Sequence, residues 1–310
     1  MNMDMQVVIN QMIELVLLLG VGYALFKCKM LDNAFNSKLN RFVLYIAIPC
    51  MILNSALTIT KYQSLTSVLG VLAIAIITFL TLPIFGFLIA KICRVQKDEV
   101  GLYIFMTTFS NVGFIGFPVM MSIFGKESVF YTTIFNLVYN VLVYTLGFVL
   151  ISLGNEQKEA IHVKDIFSPA TIASLVAFVI YMTHFHLPPV LTNTIGTLGA
   201  LTTPLAMIII GITLANESLK DVFSDLKIYP FTFLKQIVLP VLAYYILHQF
   251  VSDPLTLGVS VICVAMPVGT MAVLLTNRNG GNSELAARSV FITTLVSIIT
   301  IPVIVGLFLA

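Results

Sequence analysis

The chain has 310 residues, of which 59% are hydrophobic and 10% are charged, with 16 Lys and Arg against 14 Asp and Glu. A typical soluble domain carries about 25% charged residues, so this composition cannot cover a soluble surface. Soluble enzymes, nucleic-acid-binding proteins and disordered scaffolds are therefore excluded. A membrane-spanning helix needs about 20 mostly apolar residues, so the hydrophobic residues suffice for about nine or ten spans.

Ten apolar segments separated by short polar loops predict an all-α membrane protein with ten transmembrane helices. Thirteen of the Lys and Arg residues lie in the odd-numbered loops or within three residues of them, whereas the even-numbered loops contain only Lys61 and Lys126. Because positively charged loops stay in the cytoplasm, we expect a multi-pass protein of the bacterial cytoplasmic membrane with both termini on the non-cytoplasmic side. The predicted spans are approximately 6–26, 39–58, 66–90, 101–124, 129–152, 168–185, 190–215, 229–250, 255–276 and 286–309.

The positions of the prolines indicate an internal repeat. Prolines interrupt spans two, three and four and again spans seven, eight and nine, at offsets near 150 residues: Pro49, Pro83, Pro118, Pro204, Pro240 and Pro267. Because each half has five helices, the second half enters the membrane in the opposite sense, and such inverted repeats are typical of secondary transporters. The predicted organisation is a first repeat at 1–152, a short cytoplasmic linker at 153–167 and a second repeat at 168–310.

Two of these spans combine proline with glycine, which predicts interrupted helices. Residues 110–118 read Ser-Asn-Val-Gly-Phe-Ile-Gly-Phe-Pro, and residues 265–270 read Ala-Met-Pro-Val-Gly-Thr. Proline removes a backbone donor and glycine permits open backbone, so we expect helices 4 and 9 to break and cross at Pro118 and Pro267. The amides after each proline would then bind an anion without a cationic side chain, and the carbonyls before it could bind a cation.

The run Leu39-Asn40-Arg41-Phe42-Val43, which leads to Ile48-Pro49, resembles the second helix of the auxin efflux carrier family. That family includes the plant PIN proteins and bacterial malate and malonate permease-like members. Residues 111–118 resemble its fourth-helix N-x-x-x-x-G-x-P motif, and residues 203–215, 265–267 and 294–302 are similar to its seventh, ninth and tenth helices. The resemblance therefore extends over nearly the whole chain in the family's order.

The resemblance implies a fold of two inverted five-helix repeats. Helices 1, 2, 6 and 7 would form the scaffold and the dimer interface, and helices 3–5 and 8–10 would form a moving transport domain. In the family the substrate carboxylate sits where helices 4 and 9 cross. This implies a substrate site at Asn111, Gly116, Pro118, Pro267 and Gly269, with Asn111 donating through its amide. The short loop between helices 5 and 6 is like that of bacterial members and argues against auxin as the substrate.

Other polar or flexible residues extend this predicted site. Gly113 lies within the first interrupted segment, and Thr270 offers a hydroxyl group next to the second unless it bonds its own helix backbone. Asn136 and Asn140 are four residues apart on helix 5 and therefore share one face. They either line the substrate path or bond a neighbouring helix. We include Gly113, Asn140 and Thr270 among the predicted substrate-binding residues.

Two charged residues inside spans are candidates for ion coupling. Glu14 is an intramembrane carboxylate and therefore a candidate proton carrier, unless it lies hydrated near the outer interface. Lys235 lies about two turns from the cytoplasmic end of helix 8. It either extends its ammonium group to that surface or draws anions toward the crossing.

We predict a secondary transporter of small organic anions, mono- or dicarboxylates such as malate or malonate, with an elevator-like alternating-access mechanism. The alternative is a membrane-embedded anion sensor without transport. The chain contains no H-E-x-x-H, G-x-S-x-G or Walker A motif, so we predict that it is not an enzyme. No cofactor or metal site is expected, and transport is either coupled to H+ or Na+ or proceeds without a coupling ion. The expected partners are the organic anion, the lipid bilayer and a second copy of the chain in a homodimer. No nucleic-acid partner is expected.

Overall fold

The computed structural model describes residues 5–58, 65–153, 167–216, 223 and 225–309. Within these ranges the chain is helical and contains no strand. The helices are α1 (Met5–Lys27), α2 (Asn33–Phe42), α3 (Ile48–Leu57), α4 (Leu65–Ile92), α5 (Val100–Thr108), α6 (Phe117–Phe124), α7 (Lys126–Tyr144), α8 (Leu146–Ile151), α9 (Pro169–Thr183), α10 (Pro189–Ala200), α11 (Thr202–Asn216), α12 (Ile228–Phe233), α13 (Leu239–Leu247), α14 (Pro254–Ala265), α15 (Met271–Arg278) and α16 (Ser283–Ile304).

Helices overlap every one of the ten predicted spans. Over the described residues, five helical stretches are long and apolar enough to cross a membrane: Asn33–Leu57, Thr66–Ile92, Pro189–Asn216, Ile228–Leu247 and Ser283–Leu309. The chain is therefore a multi-pass helical membrane protein. Residues 154–166, which contain nearly all of the predicted linker, lie outside the described residues. The inverted relation of the two halves and the domain boundaries stay predictions.

Large apolar side chains point outward along the spans, as a lipid environment requires. On α4, Ile77 and Ile84 are 58% and 62% exposed, whereas Phe79 on the opposite face is 2% exposed. In water such an apolar surface would promote association, but in the bilayer it faces hydrocarbon chains. The exposed apolar face of α4 therefore agrees with its position as a membrane span.

The prolines affect their helices in different ways. Wider π-helical segments at Val43–Ala47, Val112–Gly116 and Leu234–Val238 end one residue before helices whose second residue is a proline. Because proline has no N–H group and its ring clashes with the preceding turn, a locally wider helix relieves the clash. Pro83, by contrast, lies inside the continuous helix α4 and does not interrupt span three.

Helices α1 and α11 pack backbone against backbone at two glycines. A Cβ atom on Gly22 would overlap the carbonyl oxygen of Ile208, and one on Gly211 would overlap that of Leu19. Small residues let membrane helices approach closely, and this approach maximises van der Waals contact between them. These two helices, which the resemblance assigns to the scaffold, therefore form a tight pair.

We expect Gly22→Ala to destabilise the protein by about 2 kcal/mol, because the added methyl group forces the two backbones apart. Thermal unfolding of the detergent-solubilised protein measures this effect. Gly20→Ala on the same helix is the control, since no heavy atom lies within 4 Å of the place its Cβ would take. Equal unfolding temperatures for the two variants would contradict the backbone contact.

Candidate functional site: two interrupted helices that cross

The fourth and ninth spans are interrupted near their middles. Helix α5 ends at Thr108, the chain is extended around Ser110, and helical structure resumes at Val112. Helix α14 ends at Ala265, and the next helix begins at Met271. Both spans therefore consist of two half-helices joined by a few residues of open backbone.

The two open segments pair with each other. The N–H group of Asn111 donates to the carbonyl oxygen of Pro267 at 2.8 Å, and that of Gly269 donates to the carbonyl oxygen of Phe109 at 3.1 Å. These bonds form an isolated antiparallel bridge between Ser110 and Val268. Backbone polar groups inside the membrane need hydrogen-bond partners within the protein. Each interrupted segment supplies some of the partners that the other segment needs. The helix crossing is centred on this bridge.

Pro118 is not at the crossing, contrary to the prediction from the sequence. The backbone is helical from Val112 to Phe124, and Pro118 lies inside this helix, directly after the wider Val112–Gly116 segment that accommodates it. The interruption ends at Asn111, seven residues earlier. Pro267 does lie within the second interruption, as predicted.

Asn111 shapes the start of the second half-helix. Its backbone angles, φ −78° and ψ 61°, and the bond from the Val112 N–H to the Ser110 carbonyl at 2.8 Å define an inverse γ-turn. Its Oδ1 atom accepts a hydrogen bond from the Phe114 N–H at 3.1 Å and so caps the helix. No described residue accepts a hydrogen bond from its Nδ2 group, which stays available as a donor.

Backbone donors without acceptors lie on both sides of the crossing. No described residue accepts a hydrogen bond from the N–H groups of Gly113, Thr270 or Met271. All three groups belong to the first turn of a half-helix, where N–H groups lack intrahelical acceptors and carry partial positive charge. Gly113 is half-buried and Thr270 is exposed. The crossing therefore presents unused donors from two helix N-termini.

Helix α7 adds polar side chains beside these donors. The Oδ1 atom of Asn136 lies 3.5 Å from the place a Cβ of Gly113 would take, and the Tyr139 hydroxyl lies 3.2 Å from that of Gly269. Asn140 follows one turn after Asn136 on the same face. Its Nδ2 atom is buried and has no hydrogen-bond partner among the described residues.

Lys235 lies at the crossing and does not extend to the membrane surface. Its fully buried Nζ atom donates to Ser110 Oγ at 2.8 Å and to the carbonyl oxygens of Val264 at 2.7 Å and Met266 at 3.2 Å. One ammonium group thus contacts both interruptions. Its role as a charge at the crossing was predicted from the sequence as one of two alternatives. Its partner Ser110 was not predicted, because the segment around it contains several polar residues and nothing in the sequence distinguishes Ser110 from the others.

Helix α16 supports the second interruption from the other side. The Val268 N–H donates to Thr293 Oγ1 at 3.1 Å, and Gln236 Nε2 donates to the Thr293 carbonyl oxygen at 3.0 Å. Thr293 is fully buried. Lys235 and Gln236 are adjacent in the chain. One turn of the eighth span therefore donates hydrogen bonds both to the crossing and to helix α16. The sequence contained no signal for this role of Thr293.

Glu14, the other candidate for ion coupling, is exposed on α1. It is therefore not among the buried polar groups at the crossing. Of the two candidates, the structure brings only Lys235 to the crossing. The two predicted coupling residues thus lie in different environments.

An apolar cleft separates α1 and α11 from the crossing helices. Its lining includes Leu15 and Met207 on one side and Ile115 and Val119 on the other. Its cavity volume is about 30 Å³, which leaves room for one or two water molecules. Apolar side chains therefore line both faces of the cleft.

A multi-pass helical bundle with interrupted helices in its interior is an architecture that secondary transporters use. The family model described as "Membrane transport protein" matches residues 7–163 and 158–305. The chain belongs to this family, and its resemblance to the auxin efflux carriers is confirmed.

Three relatives have names that agree with this family. An "uncharacterized transporter" of Methanocaldococcus jannaschii is 28% identical over 300 residues, 94% of this chain and 95% of the relative. An "uncharacterized transporter" of Methanothermobacter thermautotrophicus is 26% identical over 299 residues, with the same coverage. A "putative malonate transporter" of Rhizobium meliloti is 23% identical over 272 residues, 85% of this chain and 84% of the relative. The description of the family and the names of all three relatives thus agree on membrane transport.

Proposed function

We propose that this protein is a secondary transporter of small organic anions, with mono- or dicarboxylates such as malonate or malate as substrates. The observation that carries this proposal is the set of donors without acceptors at the crossing, namely the N–H groups of Gly113, Thr270 and Met271 and the side-chain amides of Asn111 and Asn140. The side chains of Asn111 and Asn140 are buried, and buried donors normally have partners, so a bound acceptor would complete these hydrogen bonds. The name of the Rhizobium meliloti relative adds support for malonate.

The charge at the crossing favours an anion over a neutral solute. Lys235 supplies a fully buried ammonium group, and the buried polar residues among those described include no Asp or Glu. The N-termini of the two half-helices that begin at the crossing add partial positive charge. A carboxylate has only acceptor atoms and therefore matches a site made of donors. This complementarity sets the proposed substrate class.

The proposed mechanism is an elevator-like movement of the crossing helices against the scaffold. The bridge between Ser110 and Val268 and the three bonds of Lys235 tie the parts of the crossing together, so these parts would move as one body. Across the cleft, Leu15 and Met207 meet the crossing helices through apolar contacts, which can slide without breaking hydrogen bonds. A homodimer in the cytoplasmic membrane, held through its scaffold helices, would anchor the fixed part.

The proposal is tested with purified protein in proteoliposomes and radiolabelled malonate, malate and monocarboxylates. Time-dependent uptake above that of protein-free liposomes, saturable and competed by unlabelled carboxylate, is the expected result. Uptake at background for every carboxylate, by protein that is folded as judged by its unfolding transition, would refute the assignment to organic anions.

Asn140→Leu separates a role in binding from a role in folding. The substitution removes a buried amide without a partner, so we expect the protein without substrate to gain about 1 kcal/mol of stability. Carboxylate uptake is expected to fall at least about tenfold, because a donor to the substrate is lost. Thermal unfolding and initial rates of uptake measure the two effects. Asn193→Leu on the exposed face of α10 is the matched control, and an unchanged KM in Asn140→Leu would remove Asn140 from the site.

A further inference from the structure

Lys235 has the surroundings that a bound metal cation would have. Its Nζ atom faces three oxygen atoms, two of which are backbone carbonyls at the C-terminal end of α14. The last carbonyls of a helix lack intrahelical donors and carry partial negative charge, so they attract cations. An ammonium group has three N–H donors, and the three oxygens of Ser110, Val264 and Met266 use all of them.

The positive charge of Lys235 is not neutralised by a neighbouring carboxylate. The ion pairs between described residues join Arg288 to Asp225 and to Glu284, and none involves Lys235. All three oxygens that contact Nζ are neutral, and the side chain is 0% exposed. Burying a charge without a counter-ion costs free energy. An anion that binds nearby is attracted by this charge, because no carboxylate among the described residues neutralises it.

The ammonium group also connects the two interruptions. Ser110 belongs to the first interrupted span, whereas Val264 and Met266 lie at the end of the half-helix in the other. A metal ion could make the same connection, but it would have to bind before or together with the anion. A lysine side chain makes the connection permanently, because it is covalently part of the eighth span.

We propose that Lys235 is a tethered cation that takes the place of an inorganic cation at the helix crossing, so that the protein binds its organic anion without sodium or potassium. This inference rests on the proposed function, since it names the cation requirement of the same anion site. Lys235 acts here as a positioning residue: its hydrogen bonds are used by the protein, and it acts on the anion through its charge and through the geometry of the crossing.

The first test uses the wild-type protein and malonate. Binding is measured by isothermal titration in sodium, potassium and N-methylglucamine salts at equal ionic strength. We expect the affinity to vary by less than about twofold among the three salts. Malonate binding that requires sodium or potassium would overturn the inference and leave the proposed function intact. The absence of carboxylate binding in all three salts would instead refute the proposed function on which the inference rests.

The second test asks whether a free cation can replace the lysine. In N-methylglucamine salt, Lys235→Ala is expected to weaken malonate binding at least about tenfold, because a buried charge interaction is lost. Added ethylammonium or sodium is expected to restore part of the affinity and of the unfolding temperature in Lys235→Ala but to leave the wild type unchanged. Lys91→Ala, at an exposed lysine, is the matched control.

Rescue by ethylammonium or sodium supports the inference, since a purely structural side chain would not be replaced by a cation of either kind. A Lys235→Ala protein that binds malonate as tightly as the wild type in N-methylglucamine salt, or that no cation rescues, would overturn it. If Lys235→Ala does not fold, the salt series with the wild type decides alone, because it needs no variant.

Discussion

Gly269→Ala is expected to lower carboxylate transport at least about tenfold, through disruption of the helix crossing. A Cβ atom at this position would lie 2.8 Å from the carbonyl oxygen of Phe109, which accepts the hydrogen bond of the Gly269 N–H. The same methyl group would lie 3.2 Å from the Tyr139 hydroxyl. The backbone must shift to make room, and one of the two bonds of the antiparallel bridge is lost as a consequence.

Initial rates of malonate uptake into proteoliposomes, normalised to the amount of folded protein, measure this effect. Gly70→Ala on α4 is the matched control, since no heavy atom lies within 4 Å of the place its Cβ would take, and its rate should equal that of the wild type. A Gly269→Ala protein with wild-type uptake and wild-type stability would contradict the requirement for close backbone approach at the crossing.

Asn111→Asp is expected to abolish anion binding while the protein stays folded. Aspartate is as good a helix cap as asparagine, so its oxygen can still accept from the Phe114 N–H. The substitution removes the Nδ2 donor and places a negative charge beside the unused backbone donors. Two like charges 4 Å apart repel by about 4 kcal/mol at an effective dielectric constant of about 20, which weakens binding by roughly three orders of magnitude.

Equilibrium binding of malonate and thermal unfolding without substrate distinguish the two roles of Asn111. Asn111→Ala is the informative comparison, because it removes both the cap and the donor and should lower the unfolding temperature as well as the affinity. Asn193→Asp controls for the added charge at an exposed position. Tight malonate binding by Asn111→Asp would place the anion elsewhere in the protein.

Each of these variants tests a different part of the crossing. Gly269 tests the approach of the two backbones, Asn111 and Asn140 test the donors, and Lys235 tests the charge. A loss of transport in all four with unchanged binding would indicate a defect in movement and not in the site. A loss of binding without a loss of stability, as expected for Asn111→Asp and Asn140→Leu, identifies contact with the anion.

Several features of this protein could be predicted from the sequence because they depend on local chemistry. Apolar segments of about 20 residues mark spans wherever they occur, and helices overlap each predicted span. The second interruption follows from Pro267, which has no N–H group, with Gly269 two residues later. The family was identified from the order of short motifs, and the comparison with its model confirms it.

The position of the first interruption could not be predicted in the same way. Pro118 has the same local chemistry as Pro267, but the wider π-helical segment before it accommodates a residue without an N–H group. The chain therefore stays helical at Pro118 and opens at Ser110 and Asn111, where it pairs with the backbone of Pro267 and Gly269. The helix could open at either of these two places. The partner segment, more than 150 residues away in the sequence, determines which of them opens.

The amino-acid sequence by itself determined that this protein is a helical membrane transporter, since composition, spacing and motif order are properties of the chain alone. Only the tertiary structure decided where the buried charge lies. Lys235 and Ser110 are 125 residues apart, and a flexible lysine side chain reaches either the membrane surface or the protein interior from the same helix. The packing of the eighth span against both interrupted spans supplies three oxygen acceptors in the interior, and these acceptors fix the ammonium group at the crossing.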